Sequence, residues 1–187
     1  MERSESLRRG FITPPVPFAE RWIISMIKFL IMDVDGTLTD GKIYMGNNGE
    51  VMKAFDIKDG CGIQNIVIPA GIIPVIITGR TSKILENRCK ELGINNLYQG
   101  ISNKIEKLDE ILHQNNTLSG VIYTYSTVAY IGDDINDLSC MEPIKKAGGY
   151  VGCPADAAKE VLSIADFISK KNGGSGAVRE FIEWVIR

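Results

Sequence analysis

Histidine is nearly absent from this chain: His113 is the only one in 187 residues, and the four cysteines, Cys61, Cys89, Cys140 and Cys153, form no Cys-x-x-Cys pair. Structural zinc sites draw on clustered cysteine and histidine, and disulfide scaffolds on patterned cysteines, so the sequence argues against both. The thiols are expected to be reduced and mostly buried, as in a cytoplasmic protein. Long apolar runs are also missing. The longest, at about 66–77, is interrupted by Pro69, Gly71 and Pro74, which leaves nothing of membrane-spanning length and predicts a soluble chain. Nor is one charge in surplus: 21 Lys and Arg face 23 Asp and Glu with no basic block, so neither nucleic acid nor a membrane is an expected partner. Small molecules remain.

A chain of this length buries one sizeable core, and its helix-strand alternation leaves no room for a second domain of comparable size. Residues 1–25 stand apart. They carry Arg8-Arg9 and Thr13-Pro14-Pro15-Val16-Pro17, show no periodicity, and lack the apolar core of a signal peptide, so they read as an extension without structure of its own. Met26 opens the first strand so closely that it reads as the natural start; an oligomer-contacting arm is the alternative use of the upstream segment. One domain over 26–187 is expected.

What the sequence does have is acid and hydroxyl at the ends of apolar strands. Residues 26–32 form a short run of large apolar side chains, suited to a strand buried on both faces of a parallel sheet. It empties into Asp33-Val34-Asp35-Gly36-Thr37-Leu38-Thr39-Asp40-Gly41. In open α/β sheets ligands collect beyond the carboxyl ends of strands. Residues i and i+2 of an extended segment point the same way, so Asp33 and Asp35 can converge on a divalent cation, and Gly36 permits the turn that frees amides for an anion. Asp-Gly is also an ordinary turn, and the company it keeps has to decide.

That company follows. Lys42 to Met45 and Glu50 to Phe55 flank Gly46-Asn47-Asn48-Gly49, the pattern of a β-hairpin over about 42–55, which is either a flap or an edge filler. Asp59 is expected to cap a helix running to about Pro69. A strand over 71–77 ends in Thr78-Gly79-Arg80-Thr81-Ser82 ahead of a helix from Lys83 to Leu92. Thr78 and the helix-start amides suit phosphate oxygens, and Arg80 suits a carboxylate or phosphate, while a plain cap by Thr81 or Ser82 with Arg80 solvated is the alternative. A short strand, Asn96 to Tyr98, precedes a helix from Lys104 to about His113. Lys104 stands where the helix dipole disfavours a cation, a mild sign of function, and His113 reads as a surface residue. A strand ending at Ile131 then delivers Gly132-Asp133-Asp134-Ile135-Asn136-Asp137, where Asp133 and Asp137 can face one point, or the acids can simply favour a helix start. Strands near 148–151 and 166–168, a helix over 155–162, Asn172-Gly173-Gly174-Ser175-Gly176 and a final amphipathic helix from Ala177 complete the chain.

Asp-x-Asp-Gly-Thr, a strand-end Thr, a Lys and Gly-Asp-Asp-x-x-Asp, in this order across 27–187, resemble the four motifs of the haloacid dehalogenase-like phosphatases. Asp33 to Gly41, the Asn/Gly hairpin, Asp59-Gly60, Thr78-Gly79-Arg80, Tyr98-Gln99-Gly100 and the tail from Gly173 to Glu180 resemble the small capless branch that acts on sugar-acid phosphates. The resemblance implies a three-layer, Rossmann-like α/β fold with a parallel sheet, a hairpin flap and no large cap. It implies Asp33 as a nucleophile forming an aspartyl-phosphate, Asp35 as acid and then base, and Thr78 and Lys104 on the phosphoryl oxygens. Thr37, Gly79 and Arg80 would bind substrate, Arg80 through its carboxylate. Mg²⁺ would be held by Asp33, the Asp35 backbone carbonyl and Asp133, with Asp137 in support. A homotetramer with subunit-shared sites is implied, closed in part by the hairpin and glycine-rich tail of neighbours. The expected substrate is an octulosonate 8-phosphate; a nonulosonate 9-phosphate fits the same chemistry. A non-catalytic tetramerisation module is the rival reading, but such a module would be expected to lose Asp33, Asp35 or Lys104, and all are present.

Overall fold

The structure is a computed structural model and describes residues 27–187. The expected extension over 1–25 and the start at Met26 lie outside the described residues. Among the described residues six parallel strands form the sheet: β1 (Phe29–Met32), β4 (Ile73–Ile77), β5 (Asn96–Tyr98), β6 (Val128–Ile131), β7 (Tyr150–Cys153) and β8 (Phe167–Ile168). Their order is β5-β4-β1-β6-β7-β8. The chain winds to one side of β1 through β4 and β5 and to the other through β6 to β8, so the strand order reverses beside β1, the position at which open α/β sheets place ligands.

Alternation along β1 builds the two faces. Leu30 and Met32 join one cluster with α2 (Lys83–Leu92), α6 (Ala177–Val185) and Ile63 and Val67, which lie in the π-helical segment Ile63–Val67 directly after α1 (Ile57–Gly62); Phe29 and Ile31 join a second with α3 (Lys104–Ser119), α4 (Leu138–Lys146) and α5 (Lys159–Ile164). All four β1 side chains are buried, as a strand covered by helices on both faces requires. This is the expected three-layer α/β fold. The insertion between β1 and β4 is a two-stranded hairpin, β2 (Tyr44–Gly46) and β3 (Gly49–Met52), with α1 after it; no cap domain is evident among the described residues.

Several boundaries differ from expectation. The helix after Lys104 runs on to Ser119, and His113 is an exposed residue within it rather than at its end. The helix expected over 155–162 begins at Lys159, after a turn. Asp59 does not cap its own helix. Asp56 does, accepting from the Lys58 amide at 2.6 Å, while the buried Asp59 reaches across the fold to accept from the Arg179 amide at 2.7 Å, at the start of α6. The local pattern placed a carboxylate near two helix starts; packing of α1 on α6 chose the distant one. Burial pushes the Asp59 carboxyl up to about 6. The cysteines are free, with Cys89, Cys140 and Cys153 buried and Cys61 exposed, and no described helix is long and apolar enough to cross a membrane.

Candidate active site at the carboxyl edge of the sheet

Continuing the parallel register past Met32↔Ile76 and Met32↔Ile131 puts Thr78 and Asp133 level with Val34 on either side, so the sheet itself gathers the motif residues. Asp33 extends the ladder by one bond, its amide donating to the Ile131 carbonyl at 3.1 Å. The chain then turns: the Thr37 and Thr39 amides both donate to the Val34 carbonyl, at 3.2 and 2.9 Å. Gly36 sits in this turn at φ 98°, and any Cβ there would overlap the Asp133 carboxylate, so glycine is required by both conformation and space. The glycine-rich tail of the same chain lies against the turn. Gly174 donates to the Thr37 carbonyl at 3.1 Å, and Gly173 packs on the Gly36 carbonyl too tightly for a side chain.

Asp33 and Lys104 are both buried, with Lys104 Nζ 3.0 Å from Asp33 Oδ2 and 2.7 Å from Asp137 Oδ1. Burial opposes the Lys104 charge, yet Asp137 and Asp33 outweigh it and raise the ammonium above its ordinary value. Two contacting carboxylates thus explain why a lysine is tolerated at a helix start. Asp137 is fully engaged: Oδ1 also accepts from the Tyr130 hydroxyl at 2.7 Å, and Oδ2 accepts from the Asp133 and Asp134 amides at 3.0 and 3.2 Å. Burial, and then the Asp137 charge, hold the Tyr130 phenol well above its ordinary pKa, so it donates rather than ionises.

Asp33, Asp133 and Asp137 each bring a carboxylate oxygen within 4.8 Å of the others. Among the described residues, Asp33 Oδ1 is buried without a hydrogen-bond partner. Burial, followed by the Asp137 charge, raises Asp33 to about 6 despite Lys104; burial also raises Asp133 to about 7, against the hydrogen bond from Thr37. Crowded carboxylates with an orphaned oxygen and too little positive charge fit a divalent cation. Asp33 and Asp133 have capacity to spare, whereas Asp137 is already spent on four donors.

Asp35 faces another set of groups. Its Oδ1 pairs with Lys53 Nζ, and Arg80 Nε lies 3.7 Å from its Oδ2. Lys53, directly after β3, has a side chain only 2% exposed and also lies 3.1 Å from Glu50 Oε1. The Ser82 hydroxyl donates to Glu50 Oε2 while capping α2 by accepting from the Leu85 amide at 3.4 Å. Burial works against the Glu50 charge, but Ser82 and Lys53 outweigh it and hold the carboxyl below its usual range. Arg80 Nη2 stays 3.9 Å from Glu50 and the side chain is 43% exposed, which leaves the guanidinium open to another anion. Thr78 is buried and Gly79 exposed at the end of β4. Thr37 is buried, and its hydroxyl donates to Asp133 Oδ1 at 2.7 Å, so that hydroxyl is committed within the protein.

The sequence reading missed Lys53, Glu50 and Tyr130. Tyr130 carried a signal: a hydroxyl inside the buried strand Val128–Ile131 must find a partner. Lys53 carried none, because its partner lies 18 residues away in sequence.

No protein-family model matches the chain. The 3-deoxy-D-manno-octulosonate 8-phosphate phosphatase of Escherichia coli K12 is 42% identical over 160 residues, which span 86% of this chain and 79% of that protein. This chain belongs to the 3-deoxy-D-manno-octulosonate 8-phosphate phosphatase family. It is therefore a phosphoric monoester hydrolase. Solved structures agree with the assignment to this phosphatase family. The Yersinia pestis phosphatase superposes with TM-score 0.78 at 41% identity, covering 92% of this chain and 87% of that one. The Moraxella catarrhalis phosphatase, in complex with a magnesium ion, a phosphate ion and a KDO molecule, superposes at 0.76 with 35% identity, covering 91% and 92%. A Legionella pneumophila hydrolase described as a putative member of subfamily III A of the haloacid dehalogenase superfamily gives 0.77 at 33%, covering 88% and 85%.

Proposed function

We propose that the protein hydrolyses 3-deoxy-D-manno-octulosonate 8-phosphate to the free sugar acid and inorganic phosphate, with Mg²⁺, through an aspartyl-phosphate on Asp33. The observation that carries this reading is the separation of the two aspartates of one turn. Asp33 lies against Lys104 with an unpartnered oxygen, and Asp35 lies against Lys53 and Arg80. Asp33 attacks phosphorus as the bond to the sugar oxygen breaks, and Asp35, protonated, gives that oxygen its proton. Asp35 then takes a proton from water, whose oxygen attacks phosphorus and releases phosphate and the Asp33 carboxylate. Lys104, Thr78 and the Asp35 and Gly36 amides hold the phosphoryl oxygens where charge develops. Asp33, the Asp35 backbone carbonyl and Asp133 would hold the Mg²⁺, with Asp137 fixing Lys104 and the amides beneath Asp133. When bound, the ion neutralises phosphoryl charge and shields Asp33 from its target's negative oxygens.

Arg80 takes the substrate carboxylate, with Gly79 lining its approach, while Thr37, buried and bonded to Asp133, acts by holding the Asp133 carboxylate. The hairpin works as a flap over this carboxyl edge, in a single domain over 26–187 that assembles as a cytoplasmic homotetramer. The name of the Escherichia coli relative and the contents of the Moraxella catarrhalis complex support the substrate and the metal. Phosphate release from eight- and nine-carbon sugar-acid phosphates, each with Mg²⁺ and with EDTA, tests the reading. The eight-carbon ester should lead in kcat/KM and lose all turnover in EDTA. A nine-carbon preference would reassign the substrate, and turnover surviving metal removal would sink the mechanism.

A further inference from the structure

The geometry points to Lys53 as a positioning residue for Asp35: the hairpin acts on the chemistry by supplying the cation that fixes the acid-base carboxylate. A lysine with a side chain 2% exposed pays a large desolvation cost unless it is paired, and both of its partners are acids of this site, Asp35 and Glu50. Glu50 is in turn tied to Ser82, the cap of α2, and lies near Arg80. Within the described residues of one chain, the hairpin has few other anchors. It pairs with no strand of the main sheet, Met45, Val51 and Met52 are exposed, and an isolated two-stranded hairpin is marginal in water. Its buried charges, Glu50 and Lys53, tie it to this site, and the acid of the β1 turn that Lys53 meets is Asp35.

The arrangement also sets direction. Lys53 takes Oδ1 of Asp35 and Arg80 approaches Oδ2, so the carboxylate is held between two cations. Without Lys53, Asp35 retains Arg80 at 3.7 Å, a looser partner that is also the candidate for the substrate carboxylate. A proton donor displaced by about 1 Å loses on the order of a hundredfold in rate. The inference rests on the acid-base role proposed above for Asp35.

The test is a double-mutant cycle on the full chain with Mg²⁺ and the eight-carbon sugar-acid phosphate. Lys53→Met should lower kcat by about 10- to 100-fold, with KM within about threefold, because the loss is in proton transfer rather than in phosphate binding. Lys53→Arg should recover most of it. In an Asp35→Asn background, Lys53→Met should cost nothing further, since a residue acting through Asp35 has no route left. Lys53→Gln, neutral and closer in polarity, repeats the cycle in case the methionine variant loses its fold, with the folded fraction read by circular dichroism. An equal loss from Lys53→Met with and without Asp35, or parent-like kcat per folded molecule in both neutral variants, would overturn the proposal. Parent-like turnover in Asp35→Asn alone would instead overturn the acid-base reading beneath it.

Discussion

The turn after β1 carries two aspartates two residues apart, each with its own lysine, and the two pairs are built differently. On the sheet side, Asp33 meets Lys104 inside a cluster whose other members, Tyr130, Asp133 and Asp137, come from β6 and the residues just beyond it. Those positions are held by parallel ladder bonds and by two fully packed helix layers. On the hairpin side, Asp35 meets Lys53 through a two-stranded ribbon with no backbone bond to the main sheet, so ion pairs do the positioning there. One pair belongs to the main sheet and the other to a ribbon that shares no ladder with it. The role proposed for Asp33 suits the first setting, because in-line attack tolerates little misplacement. The role proposed for Asp35, serving a leaving oxygen and then a water, is compatible with the second.

The comparison breaks most sharply at Asp33. Asp33→Asn should abolish turnover, by at least about 10⁴-fold, while circular dichroism and oligomeric state stay those of the parent, since removing one of two carboxylates from Lys104 leaves Asp137 in place. Residual turnover within tenfold of the parent would end the assignment of Asp33 as nucleophile. Next comes Lys104→Met, which strands Asp33 and Asp137 together without a cation. Breaking a buried pair this way costs about 3–5 kcal/mol and should remove nearly all activity, both readable in a urea titration and a phosphate assay. The stability loss should exceed that of Lys53→Met, because Arg80 remains near Asp35 in the latter; the reverse order would erase the distinction between scaffold and hairpin. Tyr130→Phe is the mildest. It deletes one of four donors to Asp137 and should cost about 2 kcal/mol with a rate loss near tenfold. A neutral Tyr130→Phe would mean that the Lys104 bond alone fixes Asp137.

Much of the sheet side was legible in advance. Apolar runs ending in Asp33, Thr78 and Asp133 could be read as strands ending at one edge because buried parallel strands have a strong composition signal and ligand sites lie at their carboxyl ends. Lys104 stood out because a cation at a helix start is locally unfavourable, and two carboxylates account for it. The hairpin side was legible as a hairpin and no further. Glu50 and Lys53 look like ordinary solvated charges on a ribbon, and nothing local distinguishes a lysine that is 2% exposed from one in water. Asp59 misled for the same reason: its sequence neighbours offer one helix start, and the fold offers it another, 120 residues on.

The sequence by itself determined the order of strands and helices, the identity of the acids at the strand ends, and the family to which they belong, because these depend on periodicity and on motifs that span a few residues. Tertiary structure alone decided how the charges were shared out. It gave Asp33 to Lys104 and Asp35 to Lys53, occupied all of Asp137 with four donors, and left one oxygen of Asp33 without a partner. The physical reason is range. Local propensity fixes backbone conformation over a few residues, whereas the pairing of buried charges is settled by which side chains lose water together when the layers close.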